Sequence, residues 1–145
     1  MKRLLAYALL PAALAALAGC GGTACTSSPA PLAQSSNTSC SLAAGSTATV
    51  SVGLCGKCTD TSPSCQAEFR TDASGTRLEV SPTVQQCQES AGCGVTSACA
   101  TSQPRATCNV TIPASASGTV SIVILGDSTV NGQLTIGSGT SCSLL

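Results

Sequence analysis

Cys55-Gly56-Lys57-Cys58 is the first arrangement in the chain with reactive potential. Two cysteines at this spacing can exchange a disulfide, and Lys57 would stabilise a thiolate there. The same pair, with two further thiolates, has the spacing of half a zinc site. Against both, residues 59–65 (TDTSPSC) do not read as a helix, and the remaining cysteines lie five or more residues apart. Ser128 lies in Leu125-Gly126-Asp127-Ser128-Thr129 after an apolar run. The chain contains no histidine, so no imidazole base serves that hydroxyl and no imidazole binds a metal. Glu68 and Glu79 are a carboxylate pair interleaved with Arg70 and Arg77. They read as a solvated charged face, because a glycosidase dyad would need an aromatic-lined cleft beside it. The sequence therefore predicts no enzyme, no catalytic residue, no bound metal and no cofactor.

The N-terminus carries a different chemistry. Lys2 and Arg3 precede an uncharged run, Leu4–Leu17, followed by Leu17-Ala18-Gly19-Cys20. Fourteen residues suit the core of a signal peptide and fall short of the roughly 20 needed for a membrane span. Leu17-Ala18-Gly19-Cys20 resembles the lipobox of bacterial lipoproteins. The resemblance covers residues 1–20 only. It implies a diacylglycerol thioether at Cys20, cleavage before it and acylation of the new amine. Two or three chains, palmitate among them, anchor a protein stably where one does not. Gly21 stands where an aspartate would commonly retain such a protein at the inner membrane, so the outer membrane is favoured in a diderm cell. Leu125–Thr129 resembles the nucleophile block of the GDSL hydrolases, but only 17 residues follow Ser128, whereas that block opens a much longer domain.

Removal of residues 1–19 takes away the only Met and the only Tyr, leaving Phe69 as the one aromatic. The remaining bases are Lys57, Arg70, Arg77 and Arg105, against six acids, for a net charge of −2. Nucleic-acid binding lacks both its basic patch and its stacking platforms. With Cys20 lipidated, ten cysteines remain: Cys25, Cys40, Cys55, Cys58, Cys65, Cys87, Cys93, Cys99, Cys108 and Cys142. That density in an exported chain signals a disulfide scaffold of five bridges, with on the order of a thousand possible connectivities. A core without aromatics is thin, so cross-links must supplement it.

These residues need a rigid carrier, and the hydrophobic pattern predicts strands. Residues 47–54, 66–71, 76–81, 106–112 and 119–125 alternate, with a turn at Asp72–Gly75, a further turn at Asn131-Gly132 and a short helical turn near Val84–Glu89. Six or seven short strands point to an all-β, small, disulfide-rich antiparallel β-sandwich, resembling immunoglobulin-like domains in broad architecture. The organisation expected is a signal peptide at 1–19, lipidated Cys20 and a flexible Gly/Ser/Thr/Pro-rich tether at 20–39, and a stapled domain at 40–145. Cys25 tied to that domain would shorten the free tether. The function expected is structural or binding, on a cell-envelope protein held at the membrane by its lipid. The partner would be another envelope protein or an extracellular ligand, met by the loops at 55–65 and 82–105, which hold six of the ten cysteines. The alternatives are a thiol-disulfide redox lipoprotein using Cys55 and Cys58, and an accessory subunit of an outer-membrane assembly.

Overall fold

The structure, a computed structural model, describes residues 25–33, 38–55, 60–87 and 104–145. These form nine strands and no helix: β1 (Cys25–Pro29), β2 (Ser39–Ala43), β3 (Thr47–Gly53), β4 (Asp60–Asp72), β5 (Gly75–Cys87), β6 (Arg105–Thr111), β7 (Thr119–Leu125), β8 (Thr129–Gly137) and β9 (Ser141–Leu144). The alternation in the sequence is realised directly. In β3, Ala48, Val50 and Val52 are buried; in β6, Ala106, Cys108 and Val110; in β7, Val120, Ile122 and Ile124. Successive side chains of a strand face opposite ways, so one apolar face suffices to bury each strand.

The domain is an all-β, disulfide-rich sandwich. One sheet runs β1-β5-β7-β8-β2, with β4 added to β5; the other runs β6-β3-β9. β5 is the long spine of the first sheet. Along one edge it pairs with β4; along the other it pairs with β7 at Arg77–Val80 and with β1 at Thr83–Cys87. Pro82, which has no N–H to donate, falls in the gap between those two partners.

The strand pairing corrects the antiparallel expectation: β2·β8, β3·β9 and β5·β7 are parallel, so both sheets are mixed. Among the described residues only β4–β5 and β7–β8 pair as adjacent hairpins. The connections into and out of the three-stranded sheet cross between layers, and after such crossings β3 meets β9 and β5 meets β7 in parallel, while β3 meets β6 antiparallel. Immunoglobulin sandwiches are built from antiparallel sheets, so that likeness extends to two packed layers and not to the pairing.

Between the sheets lies an aliphatic core that includes Leu42, Val50, Val52, Leu54, Leu78, Val80, Ile112, Ile122, Ile124, Leu134 and Leu144, all essentially inaccessible. Burying each such side chain contributes about 1.5–3 kcal/mol. Phe69 is only partly buried, at the margin under β4.

The disulfides close the sandwich. Cys65 of β4 bonds Cys108 of β6, and Cys40 of β2 bonds Cys142 of β9. β4 and β2 are outer strands of the large sheet, and β6 and β9 are the two outer strands of the small one. Each lateral opening is thus stitched by one bridge. A third, Cys25–Cys87, ties β1 to the end of β5.

Three further expectations are corrected. First, residues 25–33 belong to the domain and not to a tether spanning 20–39. β1 is paired and bridged, Ala30, Leu32 and Ala33 are buried, and Leu32 forms a β-bridge with Leu54. Second, the helical turn near 84–89 is strand as far as Cys87, because the β4 ladder continues to Gln86 and the β1 ladder to Cys87. Residues 88–89 lie outside the described residues. Third, Asn131-Gly132 is not a turn but the middle of β8, opposite Val123 and Ile122. The glycine is there for close approach: a Cβ at Gly132 would stand 2.0 Å from the Thr38 carbonyl oxygen, which accepts the N–H of Gln133.

Candidate functional site

The two expected binding loops are replaced, where they are described, by strand. Residues 60–65 open β4 and residues 82–87 close β5, and the two segments pair with each other. Residues 56–59 and 88–103, with Cys58, Cys93 and Cys99, lie outside the described residues. Their four stems converge on one pole of the sandwich. Asp60 pairs with Gln86 in one sheet, Gly53 pairs with Arg105 in the other, and the Leu54 N–H donates to the Pro104 carbonyl.

Cys55 lies two residues after β3, donates its N–H to the Pro31 carbonyl, and is disulfide-bonded. From Asp60 onward the chain is β4, a strand, where a thioredoxin-like site has a helix whose N-terminus lowers the thiol pKa. Among the described residues there is no group of three or more His, Cys, Asp or Glu placed to hold a metal ion.

Ser128 sits in the exposed turn between β7 and β8. Its hydroxyl donates only to Asp127 Oδ1, at 3.4 Å. Asp127 itself holds the N-terminal segment: its N–H donates to the Ala30 carbonyl, and its Oδ1 accepts the Leu32 N–H at 3.3 Å. A Cβ on Gly126 would meet the Ala30 oxygen and Leu32 Cγ at 2.5 Å. The Gly-Asp-Ser sequence is therefore explained by a chain crossing.

The most developed polar surface is the outer face of the β4–β5 hairpin. Glu68 lies opposite Glu79, and Arg70 opposite Arg77. Like charges directly across a ladder repel. The structure resolves this with pairs along each strand and across the diagonal. Arg70 Nε donates to Glu68 at 2.8 Å and lies 3.2 Å from Glu79 Oε1; Arg77 reaches Glu79 Oε2 at 3.4 Å and pairs with Asp72. Five charges thus form one connected chain. Glu79, on the inner strand of the hairpin, has only 13% of its side chain exposed, against 59% for Glu68 on the edge. Gln66, Ala67, Glu68, Arg70, Glu79 and Ser81 line a shallow recess of about 270 Å³.

Tight local geometry fixes the hairpin tip. Gly75 takes a φ of 110°, and Asp72 Oδ1 accepts the Ser74 N–H at 2.8 Å. The hydrogen bond from Arg77, then that from Ser74, lowers the Asp72 pKa below its ordinary 3.8. A depressed carboxyl contributes stability above its unfolded pKa and loses it as pH falls through the folded value. Acid titration of the Asp72→Asn variant is therefore expected to show a shallower stability loss below roughly pH 4 than the parent. An unchanged slope would rule out that linkage.

Arg105 was visible in the sequence as a base, with nothing to indicate a partner. It is the cross-tie of the small sheet. Nε donates to Ser51 Oγ at 2.8 Å; Nη2 donates to the Ser51 carbonyl at 2.8 Å, to Ser143 Oγ at 2.7 Å and to the Leu144 carbonyl at 3.1 Å. Arg105→Ala should cost about 2 kcal/mol in denaturant titration, since hydrogen bonds to charged groups are worth about 1.5–3 kcal/mol. A loss within error would mean these contacts are replaced by water at no cost.

Cys25, Cys40, Cys65, Cys87, Cys108 and Cys142 are thus assigned in three pairs, and Cys55 is bonded. Such bonds persist in oxidising surroundings, so the domain belongs to an extracellular or envelope-type environment. No helix among the described residues is long and apolar enough to cross a membrane. Compared with known proteins, the chain matches no family model, no curated protein and no solved structure.

Proposed function

We propose that this is a non-catalytic, lipid-anchored protein of the bacterial cell envelope, presenting a rigid, cystine-stapled β domain to a macromolecular partner. The observation that carries this reading is the bridging of both lateral openings of the sandwich, Cys65–Cys108 on one side and Cys40–Cys142 on the other. A scaffold cross-linked in this way holds a surface fixed, which lowers the entropy lost when a partner docks. The surface offered is the charged outer face of the β4–β5 hairpin, with Glu68, Arg70, Asp72, Arg77 and Glu79 pre-ordered by their mutual pairs. The anchor is Cys20, on the strength of the lipobox. An accessory role in an outer-membrane assembly is the form of this function that fits an outer-membrane anchor.

Fractionation tests the anchor. The parent protein is expected in the membrane fraction, with the acylated Cys20 peptide visible by mass spectrometry, and Cys20→Ala in the soluble fraction. A soluble parent would overturn the proposal. For the surface, cross-linking in intact cells is expected to yield a defined adduct that Arg70→Glu combined with Arg77→Glu abolishes while the thermal midpoint stays within a few degrees. Retention of the adduct would exclude the hairpin face.

A further inference from the structure

We infer that the pole bearing the cystine-loop stems faces the lipid headgroups, and that the hairpin tip at Ala73–Ser74 is the outermost point of the protein. The inference rests on the lipid anchor proposed above and adds an orientation to it.

Strand directions define the two poles. β5 runs from Gly75 to Cys87, and β1 enters antiparallel to it, with Cys25 opposite Cys87. The described chain therefore begins at the Cys87 end. Asp60 lies at that end by the register β4·β5, opposite Gln86. In the small sheet Gly53, Arg105 and Leu144 share one end, and the Leu32–Leu54 bridge, with the Ala30 N–H donating to the Pro82 carbonyl, sets that end toward the Cys87 half of β5. The turn at Ala73–Ser74, residues 44–46 and residues 112–118 lie toward the other. The separation from Gly75 to Cys87 is twelve residue rises, about 40 Å.

The lipid attaches close to the first pole. Only four residues separate Cys20 from Cys25. Even fully extended, that stretch reaches about 17 Å. Cys25 cannot peel away to lengthen it, because the Cys25–Cys87 bond locks β1 to β5. The stems around Asp60 and Cys87 are thus confined near the bilayer, while the tip is free to stand well clear of it.

One observation favours an upright over a recumbent domain. Among the described residues the flanks offer no unpaired cation to anionic headgroups: Arg70 and Arg77 are engaged by carboxylates, and Arg105 by hydroxyls and carbonyls. A partner would then meet the charged hairpin from outside, and the paired ends of β1, β4 and β5 would act as the foot of the molecule.

Energy transfer tests this on the full lipidated chain, extracted from its membrane and reconstituted in phosphatidylethanolamine–phosphatidylglycerol vesicles. A donor dye is attached through a non-canonical amino acid at Ser74 in one sample and at Ser128, in the β7–β8 turn level with about Pro82 and so nearer the Cys87 end, in another. Acceptor lipids mark the bilayer surface. Flotation is scored first: protein that does not float with vesicles overturns the anchor, and the orientation with it. For floating protein, quenching is expected to be at least twofold stronger at Ser128 than at Ser74. Equal or reversed quenching overturns the orientation and leaves the anchor standing. Twelve Gly/Ser residues inserted between Gly22 and Thr23 should abolish the difference. Its persistence would show that the short tether does not set the orientation.

Discussion

Replacing Cys40 and Cys142 together by alanine should lower the unfolding free energy by about 4 kcal/mol and the thermal midpoint by about 15–25 °C. The bond joins residues 102 apart, the longest separation among the three described bridges. Chain-entropy reasoning gives about 4.7 kcal/mol for a loop of roughly 100 residues. Cys65–Cys108 lies inside that loop and shortens its effective path, which trims the figure. The loss is also mechanical, since β2 and β9 are outer strands of different sheets and the bridge closes the opening between them. Alanine is the right replacement because Cys142 is buried and a serine hydroxyl there would need a partner. The chain has no Trp and its one Tyr, Tyr7, precedes the domain, so circular dichroism or calorimetry must report the transition. A midpoint shift below about 5 °C would show that the bridge is ornamental to folding.

Ile122→Ala is expected to cost about 3–4 kcal/mol, within the 2–5 kcal/mol typical of such truncations. Ile122 is wholly inaccessible at the centre of β7, paired with Leu78 of β5 on one side and Gly132 of β8 on the other. Those ladders fix the backbone, so the sheet cannot collapse into the space vacated. No aromatic side chain fills the centre of this core; Phe69 sits at its margin. The aliphatic packing therefore leaves little reserve. Denaturant titration of the purified domain measures the cost, and a value under 1 kcal/mol would mean that Ile122 packs loosely.

What sequence alone could reveal followed from the range of the interactions involved. Strands β3, β6 and β7 were legible because period-two alternation is local, and Val50, Val110 and Ile122 declare their faces without reference to any neighbour. The Asp72–Gly75 turn was legible for the same reason: its chemistry is contained in four residues. Pairing was not. Whether β5 meets β7 in parallel depends on the chain crossing to the other sheet between them, which no local pattern records. Asn131-Gly132 misled because glycine serves both for a turn and for close backbone approach, and only the position of Thr38 distinguishes the two uses. β1 was hidden because Cys25–Pro29 is uniformly small and polar; a bridge and a ladder to β5 order it, not an apolar face. At the candidate site, the four hairpin charges could be placed on one face, but the like-with-like register and the diagonal pairing required the alignment of β4 on β5. The C-x-x-C spacing drew attention to Cys55, while the cysteines that shape the fold are those facing across strand edges, far apart in sequence.

Non-reducing peptide mass spectrometry on protein extracted from its own membrane tests the central claim most directly. The account predicts linked peptides Cys25–Cys87, Cys40–Cys142 and Cys65–Cys108, all resistant to mild reductant, a bonded Cys55 and an acylated Cys20. Free thiols at these positions, a different pairing, or a Cys55 that reduces readily while the others stay intact would contradict it. The last of these results would move the function to thiol exchange.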